Sequence, residues 1–444
     1  MTDLKNDKDE RMKRIVLLAT IVFLTAGFAR AQDDNARVSE QDMFGGPSAS
    51  PTPTALKKGK AKVAATPEAD ESATTSPDLS SASIDNKSVT ENNFQIGGTL
   101  STEADYYIQH NVPLTRDIVS NPNILFLYMD SKLDQDNRVF ARLRTFYDPT
   151  GISSGNPTSA SNFTNPYGFG NGTSDNLSIG LDELNISANI DHQIFLTIGR
   201  QKVKYGAAKF FNPTDFLNPE PFNFFLPTDE RQGVDMVKAQ FPSGISNFYL
   251  AGLPGNPTTG GPAGGYIREE LAYDSFAGIL DAGEISLSGF LPKNQNGKAG
   301  FDISQAVGDL DVYFEGALEQ DSLVAGKWDD ANSVGISWDI RYADRETNIV
   351  NLQAEHFQVG NLEEFGVFAI TLDQPGDLSD ITFVETNLLD LIDNSGLSRL
   401  DTVYQFTQQI SGRVYVSAEW GHLGGLFNPA GQVAQTGMRM DVSF

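Results

Sequence analysis

The residue types and spacings that usually do covalent chemistry are missing from this chain. Its four histidines, His110, His192, His356 and His422, stand far apart, and none belongs to an H-E-x-x-H or similar metal spacing. No G-x-S-x-G elbow presents a nucleophilic serine. Asp134-Gln135-Asp136-Asn137 opens like a calcium loop but lacks its glycine and closing glutamate, so it reads as a polar turn. With no cysteine there are no disulfides and no thiolate metal sites. No enzyme, metal or cofactor is expected.

What the chain does carry is charge at alternating positions. Arg142 and Arg144 are two residues apart, hence on one face of a strand, and two arginines on a face imply that it is wet. The same reasoning collects Lys238, Arg341, Arg413 and Arg439 as basic, and Glu103, Asp105, Glu183, Asp311, Glu315, Glu319, Asp339, Glu355, Glu419 and Asp441 as acidic, lumen-facing candidates. A ring with both signs sets a transverse field that sorts polar solutes. The excess of acid implies mild cation preference, while Arg200, Lys202 and Lys204 form a basic ladder that would favour anions locally. The net charge of −26, from 58 acidic and 32 basic residues, argues against nucleic acid, since phosphate binding needs clustered Lys and Arg. That charge would equally serve cation attraction, divalent bridging at a surface, or plain solvation.

These side chains need strands to position them. Hydrophobic residues make up 39%, aromatics 10%, and mean hydropathy is −0.28. Such values suit apolar residues at every second position, as in a barrel with one face to lipid and one to water. Leu184, Ile186, Ala188 and Ile190 alternate with Glu183, Asn185, Ser187 and Asn189; Val414, Val416, Ala418 and Trp420 alternate with Arg413, Ser417 and Glu419. Sandwich strands alternate too, so connections matter. Short turns (Asn189 to His192, Pro242-Ser243-Gly244, Ser411-Gly412) and long loops (Asp148 to Asp175, Lys204 to Gln232, Leu253 to Gly265) match the short periplasmic turns and long extracellular loops of a transmembrane antiparallel β-barrel. Segment counting gives about 16 strands. The stretch Phe365 to Asn394 holds either two more, making 18, or a loop with a short helix around Thr386 to Ile392. Barrels of this size usually enclose an aqueous channel.

The flanks differ. Lys13-Arg14, the apolar run Ile15 to Phe28 and Ala29-Arg30-Ala31 form a secretory signal peptide over 1–31, with Met12 a natural start. Residues 32–92 are rich in Ser, Thr, Pro and Ala, with a basic run Lys57 to Lys62. They cannot bury enough apolar area to order, and read as a disordered periplasmic linker, solvated or touching peptidoglycan or anionic lipid. The barrel is expected over 93–444.

The chain ends Met438-Arg439-Met440-Asp441-Val442-Ser443-Phe444, with Met438, Met440, Val442 and Phe444 on one face. This resembles the C-terminal signal of bacterial outer-membrane proteins, which implies an outer-membrane location among lipid and lipopolysaccharide, recognition by the barrel-assembly machinery, and closure against the first strand near Phe94 to Tyr107. Ile198-Gly199-Arg200-Gln201-Lys202, Phe211-Asn212-Pro213-Thr214-Asp215-Phe216 and Arg231-Gln232-Gly233-Val234-Asp235 resemble a segment of uncharacterised or substrate-type Gram-negative porins. The Pro-Glu-Phe-Gly motif of the general trimeric porins has only Pro219-Glu220-Pro221-Phe222 as its counterpart, so a homotrimer is an open expectation.

Physically, 204–232 is the candidate constriction loop. Four prolines stiffen it, and its six phenylalanines need something to pack against. Asp215, Glu220, Asp229, Glu230 and Arg231 are its charged candidates. The resemblance implies a porin for passive diffusion of small hydrophilic solutes and ions. The alternatives are a substrate-specific or polymer-export barrel, or a non-conducting surface barrel.

Overall fold

The computed structural model describes residues 94–109, 118–134, 136–150, 177–218, 223–226, 231–256, 261–273, 282–320, 328–342, 349–360, 363–375, 378–421, 426–427 and 432–444. The expected leader and linker, together with Glu220, Asp229 and Glu230, lie outside the described residues.

Where apolar and polar residues alternate, the chain is extended. In order the strand segments are β1 (Phe94–Gln109), β2 (Ile118–Ser120), β3 (Asn123–Lys132), β4 (Asn137–Tyr147), β5 (Leu177–Ile190), β6 (Ile194–Gln201), β7 (Val234–Ser243), β8 (Ser246–Asn256), β9 (Gly261–Tyr273), β10 (Gly283–Pro292), β11 (Lys298–Val307), β12 (Leu310–Gln320), β13 (Trp328–Arg341), β14 (Ile349–Val359), β15 (Glu363–Asp373), β16 (Ile381–Asp390), β17 (Ser395–Thr407), β18 (Ile410–Trp420) and β19 (Gln432–Ser443). Each pairs antiparallel with its neighbours, and β1 pairs with β19, so the sheet closes into a barrel.

The barrel wall has eighteen strands. Both β2 and β3 pair with β1, at Asp105–Tyr107 and at Phe94–Thr102 respectively, so they are one crossing interrupted at Asn121-Pro122. Proline cannot donate to the ladder, but its carbonyl still accepts from the Glu103 N–H at 2.9 Å. The count of 16 thus gives way to 18. Across Phe365 to Asn394 the period-two reading wins over the loop with a helix. Phe365, Val367 and Ala369 are buried while Phe368 is exposed, and β15 and β16 pair along their length. Leu253 to Gly265 is also mostly strand rather than loop, since β8 and β9 leave only 257–260 between them.

Burial is inverted relative to a protein in water. Leu291 is 74% exposed and Met438 63%, whereas Glu315 is fully buried. An exposed apolar outer face and a buried charged inner face are the pattern of a bilayer-spanning barrel. Closure also leaves no sheet edge unpaired in hydrocarbon. The turns 191–193, 244–245, 308–309 and 408–409 lie at one end, and the strand ends that bound the two longest connections, 148–176 and 202–233, at the other. Asp191 and His192 both take positive φ, as tight hairpin turns require, so His192 is a turn residue.

The seam is closed by the last residue. Phe444 N–H donates to Gly98 O at 3.0 Å, and Gly98 N–H donates to Phe444 O at 2.9 Å. A Cβ on Gly98 would stand 2.8 Å from the Phe444 ring, so this close approach needs glycine. Met438 and Met440 on β19 and Phe444 just after it are exposed on the outside, and Arg439 between the methionines is buried inside.

Candidate functional site

The described residues of the connection between β6 and β7, 202–218, 223–226 and 231–233, fold into the lumen, and two wall carboxylates hold them there. Glu355 on β14 accepts hydrogen bonds from three successive backbone amides of the loop: Lys209 and Phe210 at 3.0 and 3.1 Å to Oε2, and Phe211 at 2.7 Å to Oε1. Tyr313 Oη donates to the same carboxylate at 2.9 Å. Glu315 on β12 accepts from Ala208 N–H at 2.6 Å, Asn212 Nδ2 at 3.1 Å and Thr214 Oγ1 at 2.9 Å. A loop that strays from its own wall leaves backbone amides without ladder partners. Here charged acceptors from across the lumen supply them, each bond contributing about 1.5–3 kcal/mol against an otherwise costly buried charge.

The loop phenylalanines find the partners their composition demands. Phe211 stacks on Phe357 with ring centres 4.7 Å apart and on Phe365 at 5.7 Å. Phe210, Phe224 and Phe225 complete a cluster with Val367, Leu388 and Leu397 on the inner wall and Phe427 from the 421–431 connection. At its other end the loop buries Leu217 against Val234, Met236, Leu253 and Phe290. Asp215 bonds to Asn218 and pairs with Arg231 at 2.9 Å, so this acid and base tie the loop to itself. Burial pushes the Asp215 carboxyl up from its ordinary range, against the pull of Arg231.

Loop residues Asn223, Phe225 and Leu226 and the wall strands β17, β18, β19 and β1 line an open recess. Its wall mixes both signs over four consecutive strands: Arg399 of β17, Arg413 of β18, Arg439 of β19, and Glu103 and Asp105 of β1, with Arg439 directly opposite Glu103 in the ladder at 3.8 Å. Arg399 is held by Asp401 at 2.8 Å and lies 3.8 Å from the Tyr415 ring centre. Arg413 reaches both Asp401 and the loop carbonyl of Phe225, at 3.3 and 3.4 Å. Arg439 bonds Asp441 at 2.9 Å and Ser101 at 3.0 Å. Tyr415 Oη bridges Asp105 and Glu103.

A second charged group lines β4–β6. Arg142 meets Asp182 at 2.8 Å and Glu183 at 2.7 Å, and Arg144 and Lys202 meet Asp182 at 3.3 and 3.4 Å. Asp182 can share a face with Glu183 because a bulge opposite Arg142 and Leu143 inserts an extra residue in β5.

The other candidates scatter. Lys238 faces the lumen on β7, level with Ala251. Glu319 pairs with Lys298 at 3.0 Å near the loop end of β12. Asp339 accepts from Asn351 at 2.7 Å, and Asp311 and Arg341 sit exposed near the turn end. Glu419 lies on the inner face near the top of β18. Arg200 leaves the basic ladder: it shares the outward face of Ile198 and pairs with Asp235 at 2.8 Å. Sequence reasoning missed Asp182, Arg399, Asp401, and the Arg268–Asp302 pair at 2.8 Å on β9 and β11. The alternation of Arg399, Asp401 and Val403 with Leu400 and Thr402 was the signal for β17.

No protein-family model and no curated protein matches the sequence. Solved structures do match the fold. OpdK of Pseudomonas aeruginosa with vanillate is 10% identical with a TM-score of 0.53, covering 79% of this chain and 98% of that one. OccK2 (OpdF) of the same organism, in complex with glucuronate, is 12% identical at 0.50, covering 79% and 96%. OccAB4 of Acinetobacter baumannii is 9% identical at 0.52, covering 79% and 98%. The chain has the closed eighteen-strand fold of these outer-membrane proteins.

Proposed function

We propose that this chain is an outer-membrane channel through which small hydrophilic solutes and ions diffuse passively. One observation carries the reading: the stapled loop crosses the lumen and leaves a recess lined by both acidic and basic side chains. Such a site is a sieve with a transverse field. Arg142, Arg144, Lys238, Arg413, Glu315, Glu355 and their lumen-facing companions are the pore-lining set in this reading, with Glu315 and Glu355 acting through the loop. The partners it implies are lipid and lipopolysaccharide around the barrel, the barrel-assembly machinery acting on the terminal strand, and peptidoglycan beneath the linker. Catalysis and cofactors play no part in it.

A specific observation favours the substrate-selective alternative. Arg399, Arg413 and Arg439 converge on the recess from three adjacent strands. The vanillate and glucuronate of the matched structures are both small carboxylates, the class of solute that guanidinium groups receive bidentately. Single-channel recording in planar bilayers tests both. Conductance with a defined step size is expected. Block by a small carboxylate but not by a neutral sugar of similar size selects the second reading, and a barrel that conducts nothing overturns the proposal.

A further inference from the structure

One row of the ladder crosses four strands of the recess. Asp105 on β1 is opposite Gly437 on β19, Gly437 is opposite Tyr415 on β18, and Tyr415 is opposite Asp401 on β17. Opposed residues share a face, so Asp105, Tyr415 and Asp401 all point inward, with a glycine between the first two. A Cβ on Gly437 would stand 2.6 Å from the Tyr415 ring and would also meet the Asp105 carboxylate. Without it the ring lies across β19 and brings its hydroxyl to β1. Tyr415 Oη donates there to Asp105 and, at 3.1 Å, to Glu103, and it accepts from Gln435 Nε2 at 2.7 Å. Asp105 accepts a second hydroxyl, Ser120 Oγ, at 3.1 Å. The face of the same ring carries a cation: the Arg399 guanidinium lies 3.8 Å from its centre, held by both oxygens of Asp401. A phenol suits both roles, because its hydroxyl donates to anions while its π face attracts a cation. The result is unequal. The Glu103 side chain is 8% exposed and Asp105 is buried, although both line an open recess, whereas Arg399 and Arg413 keep 13% and 17% of their side chains exposed.

We infer that Tyr415 sets the ion preference of the recess. It is a positioning residue: it touches Glu103 and Asp105, and they act on the passing ion. Its hydroxyl fixes both carboxylates against the wall by hydrogen bonds to charged acceptors, the stronger kind. The recess therefore presents less negative charge than the same two acids would supply if they turned to its water. The inference rests on the channel reading proposed above.

Purified full-length protein in planar bilayers, under a potassium chloride gradient, gives the reversal potential that tests this. Tyr415→Phe keeps the ring over Gly437 and against Arg399 and removes the hydroxyl alone. The carboxylates then turn to water, and a shift toward cation selectivity is expected. Gly437→Ala leaves the phenol intact but drives it off Asp105, and a shift in the same direction is expected. Glu103→Gln closes a cycle: its shift toward anion selectivity should be larger in the Tyr415→Phe background than in the parent, because a released carboxylate contributes more of the field. A purely structural role for the hydroxyl would leave that difference at zero. An unchanged potential in Tyr415→Phe, a shift toward anions, or equal Glu103→Gln shifts in the two backgrounds each overturns the inference. Should Tyr415→Phe fail to assemble, a folded Gly437→Ala barrel with the parent's potential overturns it as well. A parent barrel that conducts no ions overturns the channel reading itself, and this inference with it.

Discussion

The Glu355 carboxylate and the Phe211 backbone N–H lie 2.7 Å apart, although their parent strands β14 and β6 have seven strands between them. The bond therefore spans the lumen. Glu355→Ala removes the acceptor for three amides and for Tyr313, each bond to a charged group being about 1.5–3 kcal/mol. A larger and noisier single-channel conductance is expected, with the barrel still assembled. Conductance equal to the parent would show that the loop does not gate the opening.

Gly206 takes φ +110, and a Cβ there would collide with the Glu315 carboxylate. Gly206→Ala thus adds backbone strain of about 1–3 kcal/mol and pushes the second staple aside. The loop should become accessible to protease from the lumen, while the strands stay resistant. Limited proteolysis with mass mapping checks this, and an unaltered digestion pattern would count against the staple.

Phe211 and Phe357 are stacked, and a double-mutant cycle measures what the stack contributes. Phe211→Ala and Phe357→Ala should each cost about 2 kcal/mol of stability, with a coupling of about 1 kcal/mol. Urea unfolding of the four proteins in detergent gives the coupling; additivity within error would mean that the loop and wall do not share this contact.

The acids and bases that line the recess predict opposite shifts in ion preference. Arg413→Gln should move the reversal potential in a salt gradient toward cation selectivity, and Glu103→Gln toward anion selectivity, because each removes one sign from the transverse field. The check is the sign of the change, and like signs from both variants would refute the description of the recess as lined by both signs.

At the seam, Gly98→Leu places a side chain where the Phe444 ring lies. Less folded, heat-modifiable barrel is expected on gels, with the mobility of the surviving fraction unchanged. Gly180→Ala, at a glycine whose added Cβ meets nothing, is the matched control.

The fold was legible because alternation is local: each strand declares its wet face within ten residues, as Arg142, Arg144 and Phe146 do. The strand count was less so. The β2–β3 break at Pro122 and the apolar hairpin β15–β16 blur segment edges. Asp182 escaped because the bulge shifts the apolar set from Leu177, Ile179 and Leu181 to Leu184 and Ile186, and a fixed period of two cannot register an extra residue. The roles of Glu315 and Glu355 were not legible at all. A lumen-facing glutamate reads the same whether it meets solute or a loop amide, and the partner is more than a hundred residues away. Arg200 was misplaced for a related reason: parity within β6 is readable, but only pairing with Asp235 shows which parity faces out.

A cylinder of hydrogen-bonded strands resists stretching along its wall but flattens easily under sideways load. The loop runs from β6 to β12 and β14 and is fastened at both ends by charge and by stacked rings. It is a strut across the tube, so lateral pressure from the surrounding bilayer meets a braced cross-section, and the width of the opening stays fixed by protein rather than by the membrane.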